Sequence, residues 1–427
     1  VRTERVDWNG NEPVALATEL RAAAAPPPEI AAGAAAIVDD VRTGGDSRLL
    51  ELCEQLDGVR PEQLELPAER CAALAGTIPA ALRDALERAA ANIRAVAEAQ
   101  LPDRAIVINP GQGQSISVAE VPVRAAALYV PGGRAPYPST VLMGAIPARA
   151  AGVGRVVVAS PPAADGAPAP AVLAACEIAG VDAVYPIGGA QAVGALAYGT
   201  ESIPAVDVIA GPGGPWVQEA KLAVARVVGI DGYAGPSEIV VVSDGSVDER
   251  WLALDICAQA EHGADGLFVA IGIGPAALEP LPAALDRVAA EYAGVADARV
   301  TAISAPTREA AVELADALAP EHLQLACGEA DQLVGRVRRA GCVLVGAYGA
   351  TAFGDYAAGS NHILPTGAAG RFTGPLGPGT FLRTLSTVRM TSGAAVELSP
   401  VVDEIARAEG YAVHGASARA RAGDKRA

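Results

Sequence analysis

From residue 126 onward the chain repeats one pattern, and that pattern leaves few folds open. A short apolar run (AALYV, RVVVAS, AVYPIGG, AVDVIAGPGG) is followed each time by a helical stretch (STVLMGAIPARAAG, AVLAACEIAG, AQAVGALAYG, PWVQEAKLAVARVV). A second series starts at EIVVVSD, passes through WLALDICAQAEHG, GLFVAIGI, a helix, RVTAIS and another helix, and ends at CVLVG. Strands this short and apolar need cover on both faces, and helices of about 10–15 residues carry a chain from one strand to a parallel neighbour. The expected fold class is therefore α/β, with two mainly parallel, doubly wound sheets. A chain of 427 residues exceeds the usual size of a single core, so several domains are expected.

The flanking segments read differently. Residues 14–100 are helix-rich and suggest a helical satellite domain. In it, PPPEIAAGAAAIVDDVRTGG is expected to start after its prolines and stop at its paired glycines, and IPAALRDALERAAANIRAVAEAQ has the spacing of a long amphipathic helix. AIVINPGQGQSISVAEVPV reads as a hairpin turning at GQG. The C-terminal ELSPVVDEIARAEGYAVHG is helical again, a small tail domain that frays at ASARARAGDKRA. A net charge of −17 argues against binding nucleic acid or an anionic membrane surface. No run is long and apolar enough to span a bilayer, and VRTERVDWNG lacks the apolar core of a signal peptide. The six scattered cysteines form no CxxC pair and suit free thiols of a reducing cytoplasm.

Four histidines mark the segments with chemistry in them. In QAEHG, Gln259 and His262 are three apart, so a helix would present both on one face; a helix C-terminus closed by Gly263 is the structural alternative. In APEH, Glu321 and His322 set a carboxylate beside an imidazole, fit either for proton transfer and water activation or for a cap beside a surface histidine. GDYAAGSNHILPTG holds Asp355, Asn361 and His362 in a glycine-punctuated loop, and AEGYAVH carries Glu409 and His414. Two histidines, an aspartate and an amide oxygen would suit zinc, so these segments together suggest a metal site where several domains meet, with an acid/base pair nearby. Neither VPGGRAPYPS nor IAGPGGPW is a GxGxxG, although a strand–glycine–helix junction still offers N–H groups to an anion.

YVPGGRAPYPSTVLM, GGAQAVGALAYGTE, VIAGPGGPWVQEAK, GIDGYAGPSE, QAEHG, APEHL, GDYAAGSNHILPTG and AEGYAVH occur in that order, and with them the chain resembles the histidinol dehydrogenase family. The resemblance implies two incomplete Rossmann-like domains, one built from 1–21, 101–126 and 236–376 and the other, which would bind NAD, from 127–235. It also implies a helical domain over 22–100 and a C-terminal domain over 377–427 that embraces the partner of a homodimer. It implies oxidation of L-histidinol through L-histidinaldehyde to L-histidine with NAD as acceptor and one zinc ion per subunit. By motif, the zinc ligands fall on Gln259, His262, Asp355 and His414, the general base on His322, and the water-activating acid on Glu321. Ser237 and Glu409 would bind substrate together with His322 and the metal ligands, and Tyr129, Gln191 and position 214 would contact NAD.

Three departures from the family pattern stand out. Gly214 replaces the usual asparagine of GPGN, Gln324 replaces an acid after APEHL, and Gly232–Tyr233 alters the approach to Ser237. They leave open a dehydrogenase of the same fold acting on another polar or amino alcohol. A zinc hydrolase and a binding protein without catalysis are the rivals from other classes.

Overall fold

The computed structural model describes residues 1–22, 29–103, 105–133, 135–263, 265–295 and 297–423. The chain divides into two compact units, Val1–Gln100 with Val123–Phe381, and Leu101–Pro122 with Leu382–Ala427.

The first unit opens with strand β1 (Arg2–Asp7) and helices α1 (Pro13–Ala22), α2 (Glu29–Leu52), α3 (Ala68–Ala75) and α4 (Ala80–Ala99). The expected stop at Gly44–Gly45 is instead a kink. Gly45 adopts φ 58° and ψ −148°, and helix resumes to Leu52 and into a wide turn over Cys53–Asp57. Both halves of α2 bury apolar residues (Val38 and Val41 before the kink, Leu49 and Leu52 after it), and the Glu201 carboxylate accepts the freed Asp46 N–H at 2.8 Å. Tertiary packing thus carries the helix past its breakers. The helices of 29–99 also do not form a satellite core of their own. Ala34, Val38 and Val41 share one core with Ala192, Val193 and Leu196, while Leu86, Ala90 and Ile93 share another with Val141, Leu142 and Ile146.

These two cores sandwich a five-stranded sheet. Its strands are β4 (Ala125–Tyr129), β5 (Arg155–Ala159), β6 (Ala183–Tyr185), β7 (Val208–Ala210) and β8 (Gly229–Ile230), all parallel, in the order β6-β5-β4-β7-β8. Helices α5 (Pro138–Ala151), α6 (Pro170–Ala179), α7 (Gly189–Tyr198) and α8 (Pro215–Val224) make the crossovers. The second sheet repeats the plan with β9 (Glu238–Ser243), β10 (Leu267–Ile273), β11 (Arg299–Ala305), β12 (His322–Ala326) and β13 (Cys342–Val345). Its order is β1-β11-β10-β9-β12-β13, again all parallel, with the N-terminal strand added at one edge. Helices α9 (Glu249–Ala260), α10 (Leu281–Glu291), α11 (Arg308–Leu318) and α12 (Ala330–Val334) connect it, and α13 (Thr351–Tyr356) follows its last strand. In both sheets the strand order reverses beside the first strand, which gives two doubly wound halves of Rossmann type.

The second unit is not purely helical, contrary to the expectation for the tail. Strands β2 (Ala105–Ile108) and β3 (Gln114–Pro122) form the expected hairpin around Gly111–Gly113, and β14 (Leu382–Met390) pairs antiparallel along all of β3. Helices α14 (Ser392–Ala408) and α15 (Ala412–Ala422) follow. β14 escapes a reading by period because LRTLSTVRM lies mostly exposed and shows no clean alternation.

Candidate active site

One cavity of about 1580 Å³ in the first unit is lined by opposite edges of its two sheets. The five-stranded sheet contributes its C-terminal edge: Tyr129, Pro131 to Gly133, Pro161, Gly189 and Pro212 to Gly214. The second sheet contributes its N-terminal edge: Ser237, Gln259, His262, Glu321, His322 and Asp355. A crossover helix runs back against its strand, so its C-terminus emerges where the next strand begins. α9 therefore delivers Gln259; α13, which follows the last strand β13, brings Asp355 to the same cavity, and β12 starts at His322, level with Ile239 of β9 and Cys342 of β13. At the other edge of this sheet, where β9 and β12 end, the chain fills the crevice with its own acid. Asp244 accepts hydrogen bonds from the N–H groups of Gly328 (3.0 Å) and Ser246 (3.0 Å), donors that could otherwise meet an anion.

Glu321 and His322 are both buried. Nδ1 of His322 lies 3.6 Å from Glu321 Oε2 and 3.3 Å from the Glu238 carbonyl, and Nε2 lies 3.0 Å from Asp355 Oδ1. Burial disfavours the charged ring, but the two flanking carboxylates outweigh it and hold the imidazole well above its usual range. Burial likewise pushes Glu321 up, against the pull of His322. For Asp355, burial opposes the charge but the bonds and charge of His322 prevail, so its carboxyl sits below the usual range and is anionic.

The pair is held by residues that sequence reasoning missed. The backbone N–H of Glu238 donates to Glu321 Oε2 (2.8 Å), and that of Glu321 donates back to Glu238 Oε2 (3.2 Å). Arg21, at the end of α1, grips the Glu238 carboxylate with two bonds of 2.8 and 3.0 Å and reaches the carbonyls of Leu318 and Ala319. Ala319 needs that grip. It is left-handed at φ 46°, a conformation that costs a non-glycine residue about 1–2 kcal/mol, and it turns the chain from α11 through Pro320 into β12. Arg21 and Glu238 are 217 residues apart, so no local pattern could have linked them.

Gln259 is buried and its Nε2 donates to Asp355 Oδ2 at 3.0 Å. His262 lies beyond the end of α9, in an exposed turn at the cavity, with its ring 6.0 Å from that of Tyr137. Helix spacing thus brings both residues to the cavity, although His262 is no longer on the helix itself. Among the described residues no three His, Cys, Asp or Glu side chains converge on a metal position. The donor chemistry does suit a borderline cation: an anionic carboxylate against an amide, with an imidazole nearby, at the negative end of a helix. His362 holds Asp355 in place. Its Nδ1 lies 2.8 Å from the Asp355 carbonyl, which can only accept, so the neutral ring's Nε2 takes the Thr140 hydroxyl hydrogen at 2.9 Å. Glu409 and His414 belong to the second unit, where both are exposed.

On the other sheet, Gly211 is required for a physical reason: at φ 125°, a β-carbon there would lie 2.2 Å from the Tyr129 carbonyl oxygen. Fully buried Lys221, 2.5 Å from Asp231, bonds the Gly211 carbonyl and pins the turn. Gly214 caps α8 in extended geometry (φ −61°) with open space around its β-carbon position, so asparagine is absent there for no steric reason. Tyr129 lines the cavity and accepts the Gly189 N–H at 3.1 Å. Gln191 is buried behind the lining and donates to Asp57 at 3.0 Å.

The sequence profile of histidinol dehydrogenase matches residues 21–422. This chain belongs to the histidinol dehydrogenase family. It is an oxidoreductase of histidine biosynthesis. A histidinol dehydrogenase of Cereibacter sphaeroides is 43% identical over 394 residues, 90% of each chain. One of Synechococcus is 41% identical over 402 residues, again 90% of each. The crystal structure of histidinol dehydrogenase from Elizabethkingia anophelis matches with a TM-score of 0.89 at 27% identity, covering 98% of this chain and 97% of that one. The six cysteines take no part in a disulfide, and four of them are buried. No helix among the described residues is long and apolar enough to cross a membrane.

Proposed function

We propose that the protein oxidises L-histidinol to L-histidine in two steps through the aldehyde, with NAD and zinc, in the cytoplasm. The observation that carries this reading is the Glu321–His322 pair, buried at the cavity and bonded to Asp355, opposite the C-terminal edge of a Rossmann-type sheet. Bound in the cavity, NAD would supply the hydride acceptor for both steps. Zinc held by Gln259, His262 and Asp355 would anchor the substrate's imidazole and amine and offset the Asp355 charge, which with that of Glu321 holds the His322 imidazole above its usual range. His414, with the substrate-binding Glu409, would complete that set from the tail of a partner copy in a homodimer. His322 takes the hydroxyl proton as hydride leaves the alcohol carbon. Glu321 then removes a proton from water as its oxygen adds to the aldehyde carbon, and His322 serves again when the second hydride departs. Ser237 lines the same cavity and hydrogen-bonds the substrate's polar groups.

The test is NADH formation from L-histidinol against a panel of amino and polar alcohols, before and after chelator dialysis and zinc return. Two NADH per L-histidinol, lost without metal and restored by zinc, is the expected result. Full turnover by protein shown to be metal-free, or preference for another alcohol, would overturn the assignment.

A further inference from the structure

The five-stranded sheet lacks one part of a dinucleotide site. In Rossmann-type sheets an acid at the end of the second strand binds the adenosine ribose 2′-hydroxyl, on the side of the switch point away from the nicotinamide. The second strand here is β5, which runs out into Ser160, Pro161 and Pro162 with no acid. Asp57 takes its place from outside the sheet. It ends the wide turn that extends α2 and lines the cavity beside Pro161 and Gly189. Its Oδ2 accepts from Gln191 Nε2 at 3.0 Å and from the Gly188 N–H at 3.3 Å. A β-carbon on Gly188 would sit 3.1 Å from Oδ1 and 2.7 Å from Pro161, which places the carboxylate at the ends of β5 and β6. Oδ1 has no hydrogen-bond donor among the described residues, while Tyr129 and Oδ2 already occupy the first N–H groups of α7.

We propose that Asp57 is the residue that selects NAD over NADP, its free oxygen accepting from the adenosine ribose 2′-hydroxyl and repelling a 2′-phosphate. The assignment rests on the NAD reading above. It explains why Gln191 lies behind the cavity lining: Gln191 orients Asp57. No described lysine or arginine lines this half of the cavity to receive a 2′-phosphate.

The experiment measures binding of NAD, NADP and 2′-deoxy-NAD by calorimetry, with KM for NAD and NADP alongside, in the wild-type protein and Asp57→Asn. Loss of one hydrogen bond to a charged group corresponds to roughly 10- to 100-fold in affinity. Wild-type protein is expected to bind 2′-deoxy-NAD at least about tenfold more weakly than NAD, a comparison that needs no variant to fold. In Asp57→Asn the ratio of NADP to NAD dissociation constants should fall about tenfold or more. If the variant weakens both dinucleotides equally, or wild type binds 2′-deoxy-NAD as well as NAD, Asp57 is only a cap for α7 and the proposal fails. Wild-type protein that binds neither NAD nor NADP overturns the cofactor reading itself.

Discussion

Asp255 offers a test in which pH does the work. It lies on α9, one turn before Gln259, and is only 9% exposed. Gln324 Nε2 donates to its Oδ2 at 2.6 Å, while Gln324 Oε1 is buried with no donor. Burial pushes the Asp255 carboxyl from 3.8 up to about 6, with the Gln324 bond only partly opposing it. The folded protein therefore holds a proton that the unfolded chain has released. The resulting stability is fully present below about pH 4 and is lost as pH rises through about 6. A shift of about two units corresponds to roughly 3 kcal/mol forgone at pH 8, an order-of-magnitude figure. Asp255→Asn keeps an acceptor for Gln324 Nε2 and has no charge to desolvate. The variant should be more stable than wild type by about 1–3 kcal/mol at pH 8 and equal to it near pH 4. Calorimetric unfolding of both proteins from pH 4 to 8 checks this through the shape of the difference, which should open between pH 4 and 6 and then level off. A difference that is flat with pH, or a variant less stable at pH 8, would refute the buried-acid argument.

Three further outcomes follow from the site. Glu321→Gln should slow oxidation of histidinaldehyde more than its reverse reduction to histidinol, whereas His322→Ala should slow both; equal losses for Glu321→Gln in the two assays would assign it another role. Ala319→Gly should raise stability by about 1 kcal/mol, since glycine adopts the left-handed turn without strain, and thermal unfolding that shows no gain would mean the turn relaxes. Gly214→Asn should bind NAD several-fold more tightly, because the β-carbon position is open and one further hydrogen bond is worth about 1 kcal/mol; calorimetric titration with unchanged affinity would show that the amide does not reach the cofactor.

The sequence by itself determined whatever depends on neighbours in the chain. Alternating strand runs and helix-length connections specified two parallel sheets, because each short apolar run has to be covered on both faces. The spacing of QAEHG brought Gln259 and His262 to one place, since a helical turn and the turn that follows it are local geometry. The adjacency of Glu321 and His322 needed no fold at all. Tertiary structure decided what lies across the chain. Gln259 meets Asp355 over 96 residues, Arg21 meets Glu238 over 217, and Asp57 meets Gln191 over 134. Such pairs leave no period in the sequence, because their approach is set by the handedness of the crossovers and by which helix faces pack together. The kinked continuation of α2 past Gly45 has the same origin: local propensity favoured a stop, and burial of Leu49 and Leu52 with the Glu201 carboxylate outweighed it.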